Sequence, residues 1–160
     1  ATDGCADLTR GVFGGGEDSP TSINTIQFFT IPTQSNATDF GDLTQARRNL
    51  ASGSSPTRGL FLGGDFQTST YYDIIDFITI QSTGNATDFG NLSAARAELG
   101  AVTSTVRACV GGGYVSPSTP NSDIIEYVTI ASTGNATDFG NLTVARRQLK
   151  GCSNGHGGLG

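Results

Sequence analysis

Asn85-Ala86-Thr87-Asp88-Phe89-Gly90-Asn91-Leu92 recurs letter for letter at residues 135–142, and stands once more, with Asp42 in place of the second Asn, at residues 36–43. Upstream of each copy lies a second recurring stretch. Arg10-Gly11-Val12-Phe13-Gly14-Gly15-Gly16 returns as Arg58-Gly59-Leu60-Phe61-Leu62-Gly63-Gly64 and as Arg107-Ala108-Cys109-Val110-Gly111-Gly112-Gly113. Self-similarity at about fifty residues marks units that are each too small to bury their own apolar face and must lean on their neighbours. The chain divides into repeats at 1–50, 51–99 and 100–149, with a partial fourth at 150–160, all within one repeat domain.

Within the second repeat, Arg58-Gly59-Leu60-Phe61-Leu62 reads as a short apolar strand stopped by Gly63-Gly64, whose freedom of φ permits a sharp turn. A polar stretch of variable length follows, read as an exposed loop. Then comes Asp73-Ile74-Ile75-Asp76-Phe77-Ile78-Thr79-Ile80, apolar on both faces but for Asp76. Such a strand needs cover on both sides, as a sheet wedged between two others would have. Phe89 then anchors a short outer segment, and Leu92-Ser93-Ala94-Ala95-Arg96 leads to the next repeat as extended chain or a single turn.

Three or four short strands per unit, one closed by a double glycine, is the pattern of a propeller blade. The parts are Gly15-Gly16, Gly63-Gly64 and Gly112-Gly113; Asp76-Phe77 and Glu126-Tyr127; Phe40, Phe89 and Phe139; and Arg47, Arg96 and Arg146. In this order the chain resembles the kelch-type β-propeller repeat, which implies an all-β fold of kelch-like blades. Two features depart from that family: Phe stands where its Trp is usual, and Gln27-Phe28 lacks the acid in the first repeat. The near-identity of the units is similar to the kelch-like repeat arrays of marine bacteriophage structural and tail proteins.

Composition narrows the function. The net charge is −5 and the only lysine is Lys150, so the basic stripe that a phosphate backbone demands is missing and nucleic-acid binding is not expected. No apolar run has the length of a membrane-spanning helix. His156 is the only histidine, so neither a Ser-His-Asp triad nor a multi-histidine metal site can be built within one chain; no enzyme activity and no cofactor are expected. Cys5, Cys109 and Cys152 are an odd number. Cys109 reads as a small core hydrophobe, and Cys5 and Cys152, at equivalent repeat positions, as free thiols.

Asp39, Asp88 and Asp138, with Asn36, Asn85 and Asn135, are oxygen donors of the calcium-binding kind. Each motif offers one carboxylate, or two in the first with Asp42, so turn capping by Asx side chains explains them better. Arg47, Arg96 and Arg146 read as ties between neighbouring units, through carbonyls or the repeated Asp. Asn-Ala-Thr and Asn-Leu-Ser/Thr are glycosylation acceptors only in a eukaryotic secretory setting.

Recognition is expected where the repeats differ. Glu17 and Asp18, Phe66, Tyr71 and Tyr72, and Tyr114 all follow the double glycine and should emerge on one face, as variable loops on a constant scaffold. The aromatics suit sugars or protein surfaces. The chain starts and stops at nearly the same phase of the repeat, which points to adjoining blades of a longer array or to head-to-tail association of copies; two copies would make a six-bladed ring. The expected role is a non-enzymatic structural or binding segment of a virion tail or fibre or of an extracellular surface protein, attaching to a host receptor or glycan. An intracellular interaction adaptor and a self-assembling filament subunit are the alternatives.

Overall fold

A computed structural model describes residues 2–67, 69–115 and 120–152. The expectations for residues 116–119 of the third variable stretch, for Thr68, and for residues 153–160 with His156 lie outside the described residues. Among the described residues the chain is all-β, without a helix. The first repeat forms β1 (Asp3–Ala6), β2 (Arg10–Gly14), β3 (Glu17–Asp18), β4 (Thr21–Ser22), β5 (Thr25–Thr30) and β6 (Thr38–Asp42). The second forms β7 (Ala51–Ser54), β8 (Arg58–Leu62), β9 (Asp65–Phe66), β10 (Thr70–Tyr71), β11 (Ile74–Thr79) and β12 (Thr87–Asn91). The third forms β13 (Gly100–Thr103), β14 (Arg107–Gly111), β15 (Ile124–Thr129) and β16 (Thr137–Asn141).

Each repeat is one antiparallel four-stranded meander, ordered β1-β2-β5-β6, β7-β8-β11-β12 and β13-β14-β15-β16. Two variable stretches read from the sequence as loops carry small hairpins of their own, β3 with β4 and β9 with β10. The Leu-x-x-Ala-Arg segments make bends and no helical turn; Gly nearby and their shortness deny them a helical nucleus.

The sheets pack face to face, and the apolar core lies between them. One cluster joins Val12, Ile26, Phe40 and Leu43 of the first sheet to Phe61 and Ile78 of the second. The other joins Leu60, Leu62, Ile75 and Phe89 of the second to Ala108, Val110 and Val128 of the third. The first strands of the three sheets, β1, β7 and β13, lie side by side, and the Ser52 and Ser54 hydroxyls donate to the Gly4 and Ala6 carbonyls at 2.7 and 2.8 Å. The second sheet is covered on both faces, as the doubly apolar pattern of β11 requires.

The outer sheets each have one bare face. Phe61 is 0 % exposed while its first-repeat counterpart Phe13 is 49 % exposed; Phe40 and Phe89 are each 2 % exposed while Phe139 is 57 % exposed. Cys109 belongs to the same pattern. It stands at the repeat position of the buried Val12 and Leu60, and is half-buried because no sheet among the described residues covers it. Cys5 is buried and Cys152 exposed, and all three thiols are free; burial, and then the nearby Asp3, push the Cys5 thiol up to about 12. Among the described residues no helix is long and apolar enough to cross a membrane.

Candidate functional site

The repeated residues come first, because they hold everything else. Gly15, Gly63 and Gly112 sit at φ of 64°, 62° and 66°, and Gly16, Gly64 and Gly113 at 115°, 110° and 105°, all in the left-handed region that a side chain disfavours. A Cβ on Gly63 would stand 2.6 Å from the Arg96 carbonyl oxygen. That closeness lets the Gly64 N–H donate to the Arg96 carbonyl at 2.9 Å, and the Gly16 and Gly113 N–H groups do the same with Arg47 and Arg146. The double glycine thus latches the second strand's exit to the connector leaving the same sheet.

From that connector the arginine reaches forward into the next sheet. Arg47 and Asp76 are both fully buried and pair at 2.9 Å, while a second Arg47 nitrogen donates to the Phe61 carbonyl at 3.2 Å. The Thr44 N–H and hydroxyl occupy the rest of the carboxylate, at 3.1 and 2.8 Å. Arg96 repeats this with Glu126, also fully buried, and with the Gly112 and Ile124 carbonyls at 3.1 and 3.2 Å. Desolvation lowers the Arg47 pKa and the Asp76 charge opposes it; a guanidinium so far above neutrality stays charged. The partner is therefore the acid of the next sheet's third strand, while Asp39, Asp88 and Asp138 are exposed. A β-bulge falls beside that acid in both junctions, at Ile75/Asp76 and Ile125/Glu126, and recurs at Ile26/Gln27; such a bulge re-aims a side chain.

Asn, not Asp, makes the cross-sheet cap. The Asp42 N–H donates to Asn85 Oδ1 at 3.1 Å and the Asn91 N–H to Asn135 Oδ1 at 3.0 Å. Alongside, the Gly84 and Gly134 N–H groups donate to the Phe40 and Phe89 carbonyls, each at 2.7 Å. Gly41 must be glycine here, since a Cβ would stand 2.4 Å from the Gly84 oxygen. Among the described residues no three His, Cys, Asp or Glu side chains gather as a metal would need.

A second arginine set was not singled out as a site in the sequence. Arg10 lies over the Phe28 ring at 4.6 Å and donates to the Ile80 carbonyl at 2.9 Å; Arg58 lies over Phe77 at 4.7 Å and donates to the Ile130 carbonyl at 2.9 Å. The repeat alignment held the signal: the same Arg opens every second strand.

Among the described residues, the second and third variable stretches lie against the arginine connectors of the preceding repeats, through backbone pairing of Asp65 with Arg48 and of Tyr114 with Ala97. Tyr71 and Tyr114, from successive repeats, meet with ring centroids 5.3 Å apart and planes tilted by 50°. Arg147 lies over Tyr114 at 4.8 Å and pairs with Glu98 at 3.6 Å. These four residues line a shallow groove of about 250 Å³ together with Arg48, Asp65 and Gln67, Asp65 being the cross-strand partner of Tyr71. Partial desolvation, then Tyr114 and Asp65, raise the Tyr71 pKa, so the phenol stays protonated.

The other residues singled out on the loops do different things. Glu17 is taken up by Arg48, which also pairs with Asp65 at 3.1 Å and donates to the Gln67 carbonyl at 2.7 Å. Asp18 is exposed, Phe66 is half-buried in the β9–β10 hairpin, and Tyr72 closes the base of its loop through Gly64 and Arg96. Arg48 and Arg147 were missed as loop-face residues. Their signal was the second letter of Arg47-Arg48 and Arg146-Arg147, replaced by Ala97 in the middle repeat, and that small side chain leaves the groove open.

No protein-family model matches the chain, and no curated protein matches it either.

Proposed function

We propose that the chain is a non-enzymatic segment of a kelch-like β-propeller in a virion tail or fibre, or in an extracellular surface protein, and that its variable face attaches to a glycan or protein receptor. Each four-stranded sheet is one blade. The observation that carries this reading is the division of labour between repeats. Glycine latches, arginine–acid pairs and asparagine clips are spent on joining blades, while the differing residues gather around Tyr71, Tyr114 and Arg147. Two tilted aromatic rings flanked by a guanidinium and carboxylates form a platform for a sugar ring, stacking its C–H face and bonding its hydroxyls.

Glycan-panel binding by the intact chain, with the variants Tyr71→Ala and Tyr114→Ala, tests the attachment role. Both rings are outside the inter-blade cores, so the variants keep the fold. Binding should weaken roughly thirtyfold, about 2 kcal/mol, for either truncation. Mass spectrometry of purified particles and of cell-surface fractions tests the location. Recovery of the chain only from cytoplasm, with a stoichiometric protein partner on the tyrosine face, would replace this reading with the adaptor one.

A further inference from the structure

We infer that the bare face of the third blade is a socket for a blade carrying a carboxylate on its third strand and a Gly-Asn turn before its fourth, and that a second copy of this chain is not its occupant. The inference rests on the blade reading above, but on the blade faces and not on the tyrosine groove, so a failed attachment experiment leaves it standing.

The two existing junctions define what fits. In each, the preceding blade offers a connector Arg, an Arg from its second strand, a buried Phe and Leu, and the N–H two residues after that Phe. The following blade answers with an acid, a carbonyl after its third strand, and an Asn side chain. The third blade makes the same offer again through Arg146, Arg107, Phe139, Leu142 and Asn141. Arg107 is already poised, lying over the Tyr127 ring at 4.4 Å as Arg10 and Arg58 lie over Phe28 and Phe77. Among the described residues Arg146 is exposed and has no carboxylate, and Arg107 has no carbonyl.

The first blade of a second copy does not answer that offer. Gln27 stands where Asp76 and Glu126 stand, so docking would bury the Arg146 guanidinium against a neutral amide, and an uncompensated buried charge is strongly unfavourable. Ser35 stands where Gly84 and Gly134 stand. Those glycines have φ of 153° and 158°, and Ser35 has no such positive φ. The place beside β13 is also entered already: a Cβ on Gly151 would fall 1.9 Å from the Ala101 carbonyl oxygen. A blade with an acid at that place and a Gly-Asn turn before its fourth strand meets neither of the first two obstacles.

The test inserts a second copy of residues 100–149 between Leu149 and Lys150 of the full chain, so that a Glu126 equivalent follows Arg146. Hydrogen exchange of the segment 137–149 is compared with the unextended chain and with an extended chain carrying Glu126→Gln in the inserted copy alone. The acid-bearing insert should slow exchange there about tenfold, and the Gln insert should lose most of that protection. Sedimentation of the unextended chain, with and without Arg146→Ala, gives an answer independent of whether the extended chain folds. A monomer unchanged by Arg146→Ala supports the inference. Equal protection by both inserts, or a wild-type dimer that Arg146→Ala dissociates, would overturn it.

Discussion

A buried guanidinium beside a buried carboxylate is an expensive arrangement. Taking both ions out of water costs several kcal/mol each, and their attraction returns it only when the remaining donors and acceptors are also bonded. Asp76 meets that condition through Thr44, and Arg47 in part through the Phe61 carbonyl. Removing one partner strands the other's charge, whereas removing both strands no charge and leaves only the neutral Thr44 and Phe61 groups short of a partner. Arg47→Ala should therefore cost about 3–5 kcal/mol in urea unfolding, and the pair Arg47→Met with Asp76→Leu should recover part of it. Arg146→Ala, at the same repeat position but exposed, should stay within about 0.5 kcal/mol of wild type. If Arg47→Ala and Arg146→Ala cost the same, the burial argument is wrong. The ion pair thus acts as a selector of neighbours: each junction accepts a sheet with an acid at one place and penalises a sheet without it.

At the scale of strands and turns, the sheets are joined by side chains that cap backbone groups of the neighbouring element. The turn between β1 and β2 is held by Asp7, which accepts from the Thr9 and Arg10 N–H groups at 2.7 and 2.8 Å and from Gln81 of the second sheet. Desolvation works to raise the Asp7 pKa, but the hydrogen bonds from Gln81, Thr9 and Arg10 outweigh it and hold the carboxyl below its ordinary value. A carboxyl depressed on folding adds stability above its unfolded pKa of about 4, and that stability is lost as pH falls through the folded value. The Tm difference between wild type and Asp7→Ala should be open at pH 6 and close progressively below about pH 4; a difference that persists unchanged to pH 2 would mean that the charge on Asp7 is not what the turn uses. Much of this level was legible in the sequence, because a residue that recurs at one phase of a repeat must serve the joint between repeats. Gly63-Gly64, Phe89 and Arg96 could be assigned in that way. The destination of each arginine could not, since the carboxylate lies on the third strand of the next sheet and Asp76 looks like a lone intruder in an apolar strand until its neighbour is in place. The hairpins β3–β4 and β9–β10 were hidden for the opposite reason: their sequences do not recur, and two-residue strands carry no periodicity to read.

Across the whole molecule, stability is distributed by neighbours, because no sheet here has a core of its own. The middle sheet faces both clusters: Phe61 and Ile78 belong to one, Leu60, Leu62 and Ile75 to the other. The third sheet has the same strand order and the same ladder of hydrogen bonds, yet among the described residues it packs against a neighbour on one side alone. Backbone pairing therefore cannot distinguish the two, whereas burial can. In a chain built of nearest-neighbour interfaces, opening the third sheet breaks one interface and opening the second breaks two. Amides of β8 and β11 should accordingly exchange with solvent most slowly, and those of the equivalent β14 and β15 faster, by roughly tenfold or more at equal hydrogen-bond geometry. Exchange followed strand by strand on the intact chain decides the matter. Equal rates in the two sheets would show that the molecule opens only globally, as one cooperative body, and that the apolar contacts between sheets do not set the local order of stability.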